Sequence, residues 1–401
     1  PKKGDLLISS VGNRAGQPYL VRDEGDFYFK DGNILWLSNF DGLNPSFLAY
    51  WLKSSVGQKT LSSVMIGSAQ KAITIDSLRK LSVDFPNEKY QAKAVELLEE
   101  LDSKIEVNRQ TNQTLEQMAQ ALFKSWFVDF DPVIDNALTA GSLIPDELQD
   151  RAQRRQQQLA KPDHKPLPDD IRSLFPSEFE LTEELGWVPM GWGVKNMTQL
   201  VDTVSNTYPL KTVDSVIFLN TGDIEAGVFL HNDYSDASSL PGQAKKSIQP
   251  DDILYSEIRP KNKRFAYVNF ESDQYVVSTK LMVLRSKGIV DSKFAYFALT
   301  LDNTINDLQS IAELRSGTFP QITFKELSMI KISIPDNNHV LNLFSELILD
   351  NYYDKHFQLQ AQNIELKKLR DTLLPKLISG ELRLPSEVRA DAEQQLAEAV
   401  A

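Results

Sequence analysis

The chain has 401 residues, 41% hydrophobic and 24% charged, an ordinary balance for a globular protein with room for two or more domains. Without cysteine it can form no disulfide and no thiolate metal site, and a reducing cytoplasm suits it. A net charge of −12 argues, taken alone, against nucleic acid. The charge is uneven, however. Acidic residues crowd Asp129 to Glu184 and the tail beyond Pro385, and basic clusters sit elsewhere, so the sum decides little. No apolar run reaches the length of a membrane span, and no signal peptide is visible.

In chain order, short strands are predicted at Asp5–Ser9, Tyr19–Val21, Phe27–Phe29 and Ile34–Leu37, punctuated by Gly and Asp. Pro45 opens a helix over Ser46–Lys53, because proline suits the first helical position. A second helix covers Val56–Val64. Gly67–Lys71 is a polar loop, and Ile73-Thr74 lead to a strand at Leu81–Phe85 that Pro86 stops. A long helix then runs from Glu88 to Trp126. Residues 131–186 hold six prolines and read as a connector, partly ordered at best, with one helix at Arg151–Leu159.

A new folded unit opens at Gly186–Trp192. Its strands are expected at Val216–Leu219, Gly227–Leu230, Ile253–Ser256, Phe265–Val268, Leu281–Leu284 and Ile330–Ile334. Its helices are expected at Ser292–Leu301 and Thr304–Leu314. A second long helix follows from Asn338 to Leu377, and the charged tail from Pro385 is frayed.

The two long helices carry the same seam. Positions spaced alternately three and four apart read Leu98, Leu101, Ile105, Asn108, Asn112, Leu115, Ala119, Leu122, Trp126 in the first. In the second they read Leu349, Tyr352, His356, Leu359, Asn363, Leu366, Arg370, Leu373, Leu377. A heptad seam of this kind wants another helix against it. Asn112 falls on Asn363 at an offset of 251, and Leu115 and Leu122 fall on Leu366 and Leu373. An amide at one seam position in both helices reads as a register device.

The repeat reaches further. Gly4–Ser9 matches Asp251–Ser256 at an offset of 247, the loop at Gly67 matches the loop at Gly317, and Ile73-Thr74 and Pro86 match Ile322-Thr323 and Pro335 at 249. Each unit is thus a mixed α/β domain followed by a long helix. On this alignment Trp187 falls about 60 residues before Pro1, so roughly 60 residues of the first domain are expected to be missing from the chain.

This organisation resembles the specificity (S) subunit of type I restriction-modification systems. The resemblance rests on Leu115 through Trp126-Phe127-Val128-Asp129-Phe130-Asp131-Pro132 and on Leu366 through Arg370 to Leu382, which look like that family's helix ends. Gly317-Thr318-Phe319-Pro320-Gln321-Ile322 is similar to its loop-and-strand signature, and Gly186-Trp187-Val188-Pro189-Met190-Gly191-Trp192 to its domain opening.

The resemblance implies an α+β fold. Two related target-recognition domains would each be followed by a long helix, the helices pairing as an antiparallel coiled coil with pseudo-twofold symmetry. The divisions would be 1–86 (a partial first domain), 87–130 (first spacer helix), 131–186 (connector), 187–336 (second domain), 337–384 (second spacer helix) and 385–401 (tail). It also implies a role. The subunit would bind an asymmetric, bipartite double-stranded DNA site, one half per domain. It would scaffold two adenine-methylating modification subunits and, through them, restriction subunits.

DNA contacts are expected where basic and amide side chains cluster, since Arg reads guanine, Asn and Gln read adenine and Lys neutralises phosphate. The best cluster is Arg259, Lys261, Asn262, Lys263 and Arg264, with Lys245 and Lys246 before it and Arg315, Ser316, Thr318 and Gln321 around the Gly317 loop. The first domain's counterparts are Asn13, Arg14, Gln17, Ser68, Gln70 and Lys71. A charge cluster can equally be a solvated turn. Phe123, Trp126 and Phe127 at the first helix's end are either packed against their own domain or an anchor for a modification subunit.

The four histidines have no metal-ligand spacing, and no phosphate-binding glycine loop or methyltransferase motif occurs. Neither a metal nor a cofactor is therefore expected, and no catalysis. The alternatives are a stand-alone methyltransferase or nuclease, and a coiled-coil scaffold that does not read DNA.

Overall fold

The computed structural model describes residues 1–12, 15–22, 32–66 and 72–382. The predicted strand at Phe27–Phe29, the Gly67–Lys71 loop and the tail lie outside them. The described chain forms two compact units, one of residues 1–113 with the chain from His356 onward, the other of residues 114–355.

The first unit centres on strand Leu6–Ser9, flanked antiparallel by Pro18–Leu20 and Ile34–Leu37. Helix Pro45–Lys53 begins where Asn44 Oδ1 accepts from the amides of Ser46 and Phe47, satisfying amides the helix itself cannot. It buries Phe47 through Leu52. Helix Ser55–Val64 follows at once, and a Cβ on Gly57 would lie 1.9 Å from the Trp51 carbonyl, so only glycine permits so tight a turn. Leu6, Ile8, Phe47 and Trp51 then pack with Tyr90, Ala94 and Leu98 of the first long helix and Leu377 and Ile378 of the second.

The second unit stacks two four-stranded sheets. One runs Phe265–Tyr267, Ile253–Ser256, Leu281–Ser286, Val201–Val204, antiparallel throughout. The other runs Tyr234–Asp236, Ser215–Leu219, Tyr275–Ser278, Ala244–Ser247, with one parallel pair. Leu254, Ala266 and Val283 meet Ile217, Leu219 and Val277 in the core. Helices Ser292–Thr300 and Asp302–Arg315 follow, and strand Lys331–Pro335 pairs with Trp192–Asn196.

The internal repeat extends to individual hydrogen bonds. The Val21 amide donates to the Asp5 carbonyl as the Val268 amide does to Asp252. Asn44 and Asp291 cap equivalent helices. Capping boxes at Thr74 and Thr323 open equivalent short helical segments.

The long helices run Glu88–Phe127 and, helical without a break, His339–Ile378. Their contacts run antiparallel. In the first unit Tyr90 Oη donates to the Leu382 carbonyl (2.9 Å), Arg370 to Asp102 (2.8 Å) and Asn108 Nδ2 to Asn363 Oδ1 (3.0 Å). In the second unit Phe123 meets Phe344 edge-on at 5.8 Å. Leu98, Ile105, Asn112, Ala119, Trp126, Leu349, Tyr352, His356, Leu359, Asn363 and Leu377 are buried, and Leu101, Leu115, Leu366 and Leu373 half-buried.

Leu122 departs from the seam. It is 37% exposed, and Phe123 takes the buried place, because 3.6 residues per turn drift from a 3.5 repeat. The second helix solves the same drift with a π-turn over Ser345–Asp350. The extra residue lets Leu341 and Phe344 face inward ahead of Leu349.

Two further expectations are corrected. Leu81–Phe85 forms no strand. Its counterpart Lys331–Pro335 is a strand because Trp192–Asn196 lies beside it, and among the described residues nothing plays that part for 81–85. Residues 131–186 are ordered, with helices Asp131–Ala140, Gln149–Leu159 and Asp169–Arg172 and hairpin Phe179–Thr182/Gly186–Pro189. Their acidic residues are partly spent internally. Arg151 grips both oxygens of Asp131 at 2.7 Å, and Arg155 grips Asp135 in the same way. Both pairs are four apart, so they face each other along two helices.

Candidate nucleic-acid interface

Strand Ile253–Ser256 ends in a loop of unusual backbone. Arg259 and Lys263 both have positive φ (45° and 51°) around the single turn Pro260–Asn262. Non-glycine residues adopt this region at a cost and keep it only where neighbours enforce it. Here the neighbours are backbone and side-chain groups of adjoining segments. The Arg259 amide donates to the Pro320 carbonyl (3.1 Å), the Lys263 amide to Pro260 (2.9 Å) and the Ala226 amide to Lys263 (2.7 Å). Buried Gln309 accepts from the Lys261 amide at 3.1 Å.

The same bonds bring the second candidate loop alongside the first. Ile258 bridges Gln321 antiparallel, the Ile322 amide donates to Glu257 (2.9 Å), and Arg259 Nη2 reaches the Thr318 carbonyl (3.4 Å). The first unit repeats the pattern. Val11 bridges Ala72, and the Ile73 amide donates to Ser10 at 2.7 Å. Among the described residues, each unit therefore ties the chain leaving its central strand to the segment beyond its second domain helix by the same bridge and the same amide–carbonyl bond.

The predicted residues divide by what else they do. Arg259, Lys261, Asn262 and Thr318 are exposed, and no ion pair occupies Arg259 or Lys261 among the described residues. Lys263 pairs with Asp302 at 2.9 Å, and Arg264 lies between the Ile224 carbonyl (3.0 Å) and Glu225 (3.6 Å). Arg315 pairs with Glu326 at 2.7 Å, the carboxylate that closes the Thr323 capping box. Ser316 Oγ accepts from the Phe319 amide, and Gln321 is half-buried. Lys245 is exposed. Lys246 is spent on the carbonyls of Thr279 (3.3 Å) and Leu281 (2.8 Å), and burial lowers its pKa, so it fastens a sheet edge and does not present charge. In the first unit Gln17 is exposed. Asn13, Arg14, Ser68, Gln70 and Lys71 lie outside the described residues.

Phe123, Trp126 and Phe127 form no surface. They are 0%, 4% and 1% exposed, packed among Phe294, Phe344, Phe175 and Trp192 at ring distances of 4.8–5.8 Å. Their role is to seal the end of the first long helix into the second unit's core. An anchor for a partner must be exposed, and these are not. Missed by sequence reasoning was Glu116 on the same helix. Burial pushes its carboxyl up to about 7, opposed by Lys263 of the candidate loop and reinforced by Asp302.

Among the described residues no cluster of His, Asp and Glu could hold a metal ion. No described helix is long and apolar enough to cross a membrane.

Residues 1–117 and 189–365 each match the family model of the type I restriction modification DNA specificity domain. The type I restriction enzyme HindI specificity subunit of Haemophilus influenzae is 43% identical over 146 residues, 36% of this chain but only 32% of that protein. The type I restriction enzyme MjaIX specificity subunit of Methanocaldococcus jannaschii is 24% identical over 392 residues, 95% of this chain and 78% of that one. A solved type-I restriction-modification S subunit from M. genitalium is 16% identical over 94% of this chain and 83% of its own, with a TM-score of 0.47. Both halves of the chain carry the family's domain, and the chain belongs to the family of type I restriction modification DNA specificity domains.

Proposed function

We propose that this chain is the DNA sequence-specificity subunit of a type I restriction-modification complex. The observation that carries this reading is the loop pair built twice, with the same bridge and the same amide–carbonyl bond, inside two matches to a DNA specificity domain. Each domain, bounded as 1–86 and 187–336, reads one half of a bipartite double-stranded site. Arg259, Lys261, Asn262 and Thr318 touch one half, with Arg264 and Lys263 behind them. Asn13, Arg14, Gln17, Ser68, Gln70 and Lys71 serve the other. The paired long helices fix the number of unread base pairs between the halves. The chain catalyses nothing itself. It recruits two adenine-methylating modification subunits and, through them, restriction subunits, in the cytoplasm.

The test is the adenine methylome of cells carrying this gene with its modification partner, against cells lacking it. A bipartite methylated motif that vanishes with the gene is expected, and exchanging residues 187–335 for those of a relative changes one half only. A motif unaffected by deletion overturns the reading. Methylation that persists in the complex without sequence preference leaves a scaffold that does not read DNA.

A further inference from the structure

The exposed face of the candidate loop pair is not purely basic. Phe319 sits at its tip, 70% exposed, between Thr318 and Pro320. It is not a floppy loop residue. Its amide is held by Ser316 Oγ at 3.2 Å, and the next residue, Pro320, is buried with its carbonyl bound by the Arg259 amide at 3.1 Å. The Arg259 guanidinium reaches the carbonyl of Thr318 just before it. An aromatic ring is thus presented to solvent by a fastened backbone, with a cation and a hydroxyl beside it. A ring that served the fold would be turned inward, as Phe265, Phe294, Phe297 and Phe344 of this unit are. The internal repeat adds a second observation, since the matching position of the Gly67 loop is Ala69. The bridge and the amide–carbonyl bond beside the loop recur in the first unit, while the loop sequence differs.

We propose that Phe319 is a specificity-determining residue that meets an apolar base surface in the half-site read by the second domain, while Arg259 and Lys261 hold the neighbouring phosphates. Cationic contacts supply affinity that depends on salt and little on sequence. An apolar contact at a base edge or step supplies sequence preference and releases no counterions. The two contributions are therefore separable. The inference rests on the DNA-reading role proposed above.

The experiment uses the complex with modification subunits and two fluorescent duplexes, one carrying the methylated motif found in the strain, the other with the second domain's half scrambled. Binding is measured from 50 to 300 mM salt for the wild type, Phe319→Ala and Phe319→Leu. The expected result is a loss of about 5- to 100-fold by F319A on the motif duplex. Binding to the scrambled duplex, the salt slope and the melting temperature stay unchanged, and F319L retains more than half of the discrimination on a logarithmic scale. Equal losses on both duplexes, or none on the motif duplex, overturn the role of Phe319. A wild-type complex that does not distinguish the duplexes instead overturns the DNA-reading role beneath it.

Discussion

Two titrating side chains, His356 buried and Glu116 half-buried, give the molecule opposed responses to pH, and the signs follow from desolvation. His356 lies on the helix seam, 8% exposed, with its Nε2 2.8 Å from Gln360, and burial lowers its pKa from 6.5 to about 4. Between those values the unfolded chain binds a proton that the folded one refuses, so stability falls as pH drops from about 6.5 to 4. The loss is at most about 3 kcal/mol. Glu116 works the other way. Its raised pKa means the folded chain holds a proton that the unfolded one releases, so stability falls as pH rises from 4.5 to about 7. Thermal melts at pH 5, 6, 7 and 8 check both. His356→Leu flattens the acid-side loss, and Glu116→Gln raises the melting temperature at pH 8 but not at pH 5. Variants that keep the wild-type pH profile refute the assignment. At this scale the sequence showed which residues carry charge but not where that charge goes. Lys246 and Arg315 looked like Lys261 and Arg259 until their carbonyl and carboxylate partners were placed, and those partners lie 11 to 35 residues away. Phe319 carries neither charge nor amide, so nothing in its residue type marks it as a DNA contact.

The long helices were legible because their signal is local and repeated. Heptad spacing over ten turns leaves few alternatives, and it placed both ends within about two residues. The short strands were not. Val201–Val204 and Ala244–Ser247 are strands only because Leu281–Ser286 and Tyr275–Ser278 lie beside them, and Leu81–Phe85, richer in strand-favouring residues than Ala244–Ser247, is not a strand. Within the helix pair the seam asparagines were read as a register device, and their arrangement is now specific. Asn363 accepts from Asn108, not from its repeat-mate Asn112, which donates to the His356 carbonyl at 3.2 Å while its own Oδ1 is buried without a partner among the described residues. Asn108 Nδ2 also donates to Gln362 Oε1 at 2.7 Å, so removing Asn363 takes away one of its two partners, whereas replacing both asparagines by leucine removes the cost of burying the amides. Asn363→Ala is expected to lose about 0.5 to 1.5 kcal/mol in urea unfolding from the lost hydrogen bond, and the double variant Asn108→Leu/Asn363→Leu to recover most of it. A double variant as unstable as the single one would mean that the site cannot accept leucine, and the amides would then matter for shape as much as for pairing.

At the scale of the whole molecule, the acidic sum of −12 and a DNA-reading role are compatible because charge is spent locally. Arg151 and Arg155 absorb Asp131 and Asp135, and Asp302 and Glu225 flank the candidate loop without covering Arg259 or Lys261. On the proposed reading the duplicated domains are two readers, and the long helices are elements whose length can change outside both. Seven residues keep a heptad seam in phase and lengthen a helix by about 10 Å. Base pairs rise about 3.4 Å each. Inserting one heptad into each long helix, beside Asn112 and beside Asn363, is therefore expected to lengthen the unread spacer of the methylated motif by about three base pairs and to leave both halves as they were. Inserting four residues instead turns the apolar stripe away from its partner by roughly half a heptad, so that variant is expected to lose methylation and not to shift it. Sequencing of methylated adenines from cells carrying each variant reads both outcomes. An unchanged spacer in the heptad variant would separate the helix pair from the measure of the site, and the distance between halves would then have to be set by the modification subunits.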